Sequence, residues 1–84
     1  MEATVTILNE EGLHARPAGV FVKKAAEFQS SIELRLNNTV KNGKSIMGVM
    51  SLGAEKGSVV TIVAQGQDEK EALEALTQLI NNQF

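Results

Sequence analysis

The sequence contains no cysteine, tryptophan or tyrosine, and it has one proline and one histidine. Without cysteine there is no disulfide bond and no thiolate metal site, and one histidine cannot form a metal site made of imidazoles. Aromatic residues make up 4% of the chain, so few rings are available to stack on nucleic-acid bases. We therefore expect no metal site and no direct contact with nucleic acid.

Long apolar runs and nucleotide-binding motifs are also absent. No segment approaches the roughly 20 apolar residues that cross a bilayer. Residues 1–12 carry three glutamates and neither lysine nor arginine, a pattern that predicts no signal peptide. The glycines form neither a G-x-G-x-x-G motif nor a P-loop. These absences predict a cytoplasmic protein with no membrane insertion and no cofactor.

Length and composition predict one small folded domain over residues 1–84. Hydrophobic residues account for 43% and charged residues for 21% of the chain, which is ordinary globular usage. The net charge of −2 is unevenly distributed, with −3 in residues 1–15, +4 in 16–44 and −3 in 45–84. A basic middle segment can attract an acidic partner, and it can equally be an ordinary solvated surface.

The spacing of apolar residues changes along the chain between the periods of strands and of helices. Alternation at period two predicts the first two strands, the turn dipeptide Asn37-Asn38 predicts a hairpin into the third, and a β-branched run predicts the fourth. Spacing of three to four residues predicts the first and last helices, and Ser45 and Gly53 bound the short second helix. The predicted strands are residues 3–7, 32–36, 39–42 and 59–63, and the predicted helices are residues 15–28, 46–52 and 69–80. This β-α-β-β-α-β-α order favours an α+β fold in which a four-stranded antiparallel sheet carries the helices on one face.

Two side chains are predicted to cap helices. Ser45 precedes the short second helix, so its hydroxyl can accept from an N–H group two or three residues further on. Asp68 precedes the last helix and Glu71 follows it by three residues, which is the spacing of a capping box.

The segment with the most chemical information reads Gly12-Leu13-His14-Ala15-Arg16-Pro17-Ala18. It joins a loop to the predicted start of the first helix, where N–H groups lack intrahelical partners and the helix dipole is positive. The guanidinium of Arg16 adds a positive charge close to the imidazole of His14. This convergence predicts an anion site, and phosphate is the commonest anion that such sites hold. The alternative is that His14 is only a polar helix cap and Arg16 a surface residue.

An imidazole beside a phosphate site can also react with the phosphate. Because imidazole is largely neutral at pH 7, a ring nitrogen can attack a phosphoryl group without a separate base. The product would be a phosphoramidate with a reactive N–P bond, and Arg16 would neutralise the phosphoryl oxygens.

Ser45 is the second candidate, as a site of regulatory phosphorylation. A phosphate there would meet the positive end of a helix, and Lys44 lies beside it in the chain. Four large apolar residues follow within two turns, namely Ile46, Met47, Val49 and Met50. Part of this helix can therefore form an exposed docking patch. The sequence is equally consistent with a serine that only caps the helix and with four apolar residues that all belong to the core.

Two segments resemble the sequences of one known family. Residues 12–18 resemble the active-site signature of HPr, the histidine phosphocarrier of the bacterial sugar phosphotransferase system. Residues 44–52 resemble the regulatory serine segment of HPr from low-GC Gram-positive bacteria. The two segments have the separation typical of that family, and the resemblance extends over nearly the whole chain. It implies an open-faced β-sandwich with strand order 1-4-2-3 and three helices on one side.

The resemblance also implies roles for individual residues. His14 corresponds to the histidine that is phosphorylated on Nδ1, and Arg16 corresponds to the active-site arginine. Pro17 corresponds to the proline of the first helix, and Ala15, Arg16 and Pro17 together form the implied phosphate-binding segment. Ser45 corresponds to the serine that is modified by an ATP-dependent regulatory kinase and restored by a phosphatase.

Partners follow from the same resemblance. Enzyme I, charged by phosphoenolpyruvate, is the implied donor, and the A domains of sugar permeases are the implied acceptors. The serine-phosphorylated form would bind a catabolite-control repressor. The protein would then be a phosphoryl carrier and not an enzyme. The predicted docking surface consists of Ala15, Gly19, Val20, Lys23, Lys24, Ile46, Met47, Gly48 and Met50.

Some positions depart from the HPr pattern. Gly19 stands where many members have alanine or threonine, and Lys41 occupies a strand position that is usually apolar. Phe21 and residues 64–66 resemble Crh proteins, which are regulatory relatives that have lost the histidine. The alternative function is therefore a Crh-like module that acts mainly through phosphorylated Ser45 in catabolite repression.

Overall fold

A computed structural model of the chain describes residues 1–84 and contains four strands and three helices. The strands are β1 (Glu2–Thr6), β2 (Ser31–Leu36), β3 (Thr39–Asn42) and β4 (Val59–Gln65). The helices are α1 (Ala15–Ala25), α2 (Ile46–Ser51) and α3 (Glu69–Asn81). The element order is the predicted β-α-β-β-α-β-α.

The strands form one antiparallel sheet in the order β1-β4-β2-β3. Strand β4 lies between two neighbours, and its Thr61 pairs with Thr4 of β1 on one side and with Arg35 of β2 on the other. The β2–β3 hairpin pairs Leu34 with Lys41, which places the half-buried Lys41 on the same face of the sheet as the core residue Leu34. The predicted fold and strand order are confirmed.

The helices cover one face of the sheet and leave the other open. On β4, Val60, Ile62 and Ala64 are fully buried in the core, whereas the intervening Thr61 is half-exposed on the opposite face. Phe21 of α1 is the largest fully buried side chain, and burial of such a ring contributes about 1.5–3 kcal/mol. None of the three helices combines the length and the apolar character that a membrane-spanning helix needs.

Helix α1 ends at Ala25 and not at the predicted residue 28. Beyond it, the N–H groups of Glu27 and Phe28 donate to carbonyls three residues back, which is a tighter turn than the α-helix. The N–H groups of Gln29 and Ser30 leave the helical pattern altogether. Their acceptor lies on a distant part of the chain, so the local apolar spacing contained no sign of this end.

That acceptor is Asp68, and the predicted capping box with Glu71 is wrong. Asp68 occupies the N-cap position of α3, but its carboxylate makes no capping bond to the helix. The carboxylate instead accepts from the N–H groups of Gln29 and Ser30, at 2.9 Å each, and from the Ser30 hydroxyl. Asp68 thus ties the segment after α1 to the start of α3.

This contact predicts a pH dependence of stability. Hydrogen bonds from the Ser30 hydroxyl and the Gln29 N–H lower the pKa of Asp68 from 3.8 to about 2. Because the pKa is lower in the folded protein, the contribution of Asp68 is present above pH 4 and is lost as the pH falls towards about 2. We expect Asp68→Asn to lower the urea midpoint at pH 7, and the difference from wild type to shrink between about pH 4 and pH 2.

The measurement is urea unfolding of both proteins across that pH range. Glu71→Gln is the matched control, because Glu71 is an exposed carboxylate of the same helical turn. A difference in urea midpoint between wild type and Asp68→Asn that stays constant with pH would contradict the role given to the Asp68 carboxylate.

Candidate functional site

His14 lies immediately before α1, at its N-cap position, and its side chain is exposed. The backbone of His14 is extended (φ −89°, ψ −161°), and its carbonyl accepts the first helical bond, from the Ala18 N–H at 2.8 Å. The imidazole makes no capping hydrogen bond to the helix. The alternative is therefore wrong in giving His14 a side-chain cap, whereas Arg16 does lie at the surface as that alternative has it. The imidazole ring is free to face solvent or a partner.

The first turn of α1 supplies hydrogen-bond donors beside this ring. The N–H groups of Ala15 and Arg16 come before the first residue that can donate within the helix. Pro17 has no N–H group and is buried, so it contributes packing and not a donor to the predicted phosphate-binding segment. The helix dipole adds partial positive charge at the same point.

Arg16 forms an ion pair with Glu11, a residue that no sequence motif marked. Its Nη2 lies 3.4 Å from Oε1 of Glu11, in a pair whose side chains are 59% and 51% exposed. An exposed pair of this kind contributes only about 0–1 kcal/mol. The guanidinium can therefore exchange Glu11 for a doubly charged phosphoryl group at little cost. The sequence indicated a basic partner for Glu11 only through the excess of three acidic residues in the first 15 positions.

The neighbouring carboxylate is held by a second ion pair. Glu10 Oε1 lies 2.7 Å from Lys56 Nζ, and the hydrogen bond and charge of Lys56 lower the pKa of Glu10. Both acidic residues of the loop therefore have basic partners, which limits their repulsion of an approaching anion.

Ser45 caps α2 as predicted. Its hydroxyl oxygen accepts from the Gly48 N–H at 3.0 Å. The ammonium group of the adjacent Lys44 donates to the Phe28 carbonyl at 2.7 Å and makes no hydrogen bond to the Ser45 hydroxyl. Lys44 therefore links α2 to the segment that follows α1.

The apolar residues of α2 divide between surface and core. Met47 is 82% exposed, Ile46 48% and Met50 39%, whereas Val49 is fully buried. We call Ile46, Met47 and Met50 the α2 patch. The alternative in which all four residues belong to the core is thus wrong for three of them and right for Val49.

The predicted docking residues lie on two helices that contact each other, α1 and α2. None of them is buried. A side chain at Gly19 would enter open space. Glycine in place of the alanine or threonine of many HPr proteins therefore removes a surface side chain and leaves the core contacts unchanged. The structure therefore leaves accessible all the predicted docking residues, which are Ala15, Gly19, Val20, Lys23, Lys24, Ile46, Met47, Gly48 and Met50.

Comparison with known proteins gives a consistent result. A family model described as the PTS HPr component phosphorylation site matches residues 1–82. The phosphocarrier protein HPr of Neisseria meningitidis serogroup A is 44% identical over 84 residues, which cover 100% of this chain and 94% of that protein.

Solved structures agree with the sequence comparison. HPr-C-His from Thermoanaerobacter tengcongensis has a TM-score of 0.97 at 50% identity, with coverage of 100% of this chain and 94% of that one. The catabolite repression protein Crh of Bacillus subtilis has a TM-score of 0.81 at 44% identity, with coverage of 94% and 91%. The matched family model and the full-length similarity to HPr together mean that this chain belongs to the HPr family of phosphotransferase-system phosphocarrier proteins.

Proposed function

We propose that the protein is a cytoplasmic phosphocarrier that accepts a phosphoryl group on His14 from enzyme I and passes it to the A domains of sugar permeases. The observation that carries this proposal is the placement of His14. Its imidazole is exposed at the start of α1, makes no bond to the helix, and lies beside free N–H groups and Arg16. All of residues 1–84 act as one carrier domain, which is itself the substrate of other proteins and not an enzyme.

The chemical step needs few groups. Nδ1 of His14 attacks the phosphorus and forms an N–P bond, while the bond from phosphorus to enzyme I breaks. One phosphoryl group is thereby transferred from enzyme I to His14. The N–H groups of the first turn and the Arg16 guanidinium stabilise the charge on the phosphoryl oxygens throughout. The reverse sequence, with a permease A domain as the attacking partner, unloads the carrier.

Ser45 and the α2 patch add a regulatory layer to this proposal. A kinase and a phosphatase acting on Ser45 would change the charge beside the exposed apolar residues that dock enzyme I. The phosphorylated form would then bind a catabolite-control repressor. The similarity to Crh supports a role in catabolite repression.

The test of the carrier function uses the wild-type protein. The protein is incubated with enzyme I and labelled phosphoenolpyruvate, and the label is tested for acid lability and for transfer to a permease A domain. We expect an acid-labile label that moves to the A domain. Absence of such a label, together with phosphorylation at Ser45, would support the Crh-like alternative.

Removal of the Arg16 guanidinium should slow transfer without unfolding the protein. Arg16→Ala loses a charge-assisted donor to the phosphoryl oxygens, and such bonds contribute about 1.5–3 kcal/mol. We expect the rate of His14 labelling to fall about ten- to a hundredfold. Arg35→Ala is the matched control, because Arg35 is a similarly exposed arginine on the open face of the sheet. Equal rates for the two variants would mean that the helix N-terminus suffices.

A further inference from the structure

The peptide group that joins Gly12 to Leu13 is held at both of its polar atoms. Its carbonyl oxygen accepts a buried hydrogen bond of 2.8 Å from Nδ2 of Asn9. Its N–H group, on Leu13, donates to the Ala54 carbonyl oxygen at 3.0 Å. His14 is the next residue, so this clamped peptide is the last fixed point of the loop before the imidazole.

The residues on both sides of the peptide are also fixed. Gly12 has a φ of +63°, and a Cβ atom there would clash with the Ala54 carbonyl oxygen, so the position requires glycine. Its N–H group donates to the Asn9 carbonyl at 3.2 Å. The side chain of Leu13 is 1% exposed and belongs to the core. The loop is therefore a rigid support for His14.

Asn9 is an unusual residue to find at the base of this support. It is 5% exposed, and its Oδ1 is buried without a hydrogen-bond partner. An unpaired buried acceptor lowers stability, and an apolar residue would avoid that cost. What an apolar residue could not supply is the donor that Nδ2 presents to the Gly12 carbonyl.

We propose that Asn9 is a positioning residue for phosphoryl acceptance by His14. Helix α1 fixes His14 from one side, because the His14 carbonyl accepts a hydrogen bond from the Ala18 N–H group. The clamp between Asn9 and Ala54 fixes it from the other side, through the Gly12–Leu13 peptide. In-line transfer between two proteins tolerates little displacement of the attacking nitrogen, so the clamp controls the rate of reaction. This inference rests on the proposed function of His14.

Two variants test the donor. Asn9→Asp keeps the shape of the side chain but cannot donate when ionised, and Asn9→Ala removes the amide. Ile80→Val is the control. The substitution removes one methylene from the core in α3 and should lower stability modestly. The side chain of Ile80 forms none of the hydrogen bonds of the clamp. A variant without a cooperative urea transition is set aside, and the other decides.

The first readout is hydrogen exchange of the Leu13 amide. We expect it to become about tenfold faster in the Asn9 variants, after correction for global stability, and to stay unchanged in Ile80→Val. Unchanged exchange in the Asn9 variants would mean that no clamp exists and would overturn the proposal.

The second readout is the kinetics of phosphorylation. With enzyme I as donor, we expect kcat to fall about tenfold at nearly constant KM in the Asn9 variants. With phosphoramidate, a small donor that docks on no protein surface, His14 should also react more slowly in them than in Ile80→Val. Loss of stability with unchanged rates from both donors would make Asn9 merely structural and overturn the proposal. Should enzyme I fail to label even the wild type, the proposed function fails, and the phosphoramidate rates alone decide the role of Asn9.

Discussion

His14→Ala is expected to abolish labelling from phosphoenolpyruvate and to leave the fold intact. The chain has one histidine, so no other imidazole can replace it as nucleophile. Its side chain is exposed and makes no hydrogen bond to α1. An alanine at this position removes neither core contacts nor a cap, and we expect stability within about 0.5 kcal/mol of wild type.

The measurement combines acid-labile label per mole of protein with urea unfolding of the same sample. Gln67→Ala is the control, an exposed polar residue in the loop before α3 that should label normally. Acid-labile label that persists on His14→Ala would refute the assignment of His14. Loss of label accompanied by loss of the cooperative transition would show instead that His14 has a structural role.

Phosphorylation of Ser45 should slow the labelling of His14 by about a hundredfold. The phosphate brings about −1.5 to −2 charges to a position beside Ile46 and Met47, which are exposed residues of the α2 patch. Lys44 donates to the Phe28 carbonyl, so its ammonium would have to leave that bond to pair with the new charge. Docking of enzyme I on the patch would then require desolvation of the phosphate against apolar side chains, which is unfavourable.

The same charge should favour a different kind of partner. A repressor that offers arginines at this surface would pair with the phosphate and bind more tightly. The phosphate also lies at the positive end of α2, so we expect local stabilisation of the helix and no change of fold. One modification would then exchange one partner for another without a change of shape.

The decisive comparison is the rate of His14 labelling for wild type, Ser45→Asp and Ser45-phosphorylated protein. Ser45→Asp should give an intermediate rate, because aspartate has one charge and a shorter reach than phosphoserine. Ser31→Asp is the matched control, since it adds the same charge at an exposed serine of β2. Equal rates for all forms would mean that Ser45 only caps α2.

Some features of the molecule depend only on neighbouring residues, and the sequence predicted these correctly. The β-branched run of residues 59–63 predicted a strand, and β4 spans Val59–Gln65. The hydroxyl of Ser45 bonds the N–H three residues further on, as capping requires. The segment before Pro17 places His14 at the start of a helix. Each of these results from backbone geometry within a few residues, which is why a pattern in the sequence can reveal it.

The tertiary structure decided which contacts form between those elements and which of their side chains are exposed. Asp68 fits a helix cap in sequence, yet its carboxylate serves the segment after α1, 38 and 39 residues away. Apolar spacing could not divide the α2 patch from the buried Val49, because exposure depends on which side of α2 the rest of the chain covers. By itself the sequence determined the order of the elements and the place of His14, which are local properties. Only the folded chain brought Asn9 and Ala54 to opposite sides of the peptide before His14, because that clamp needs residues that are far apart in sequence.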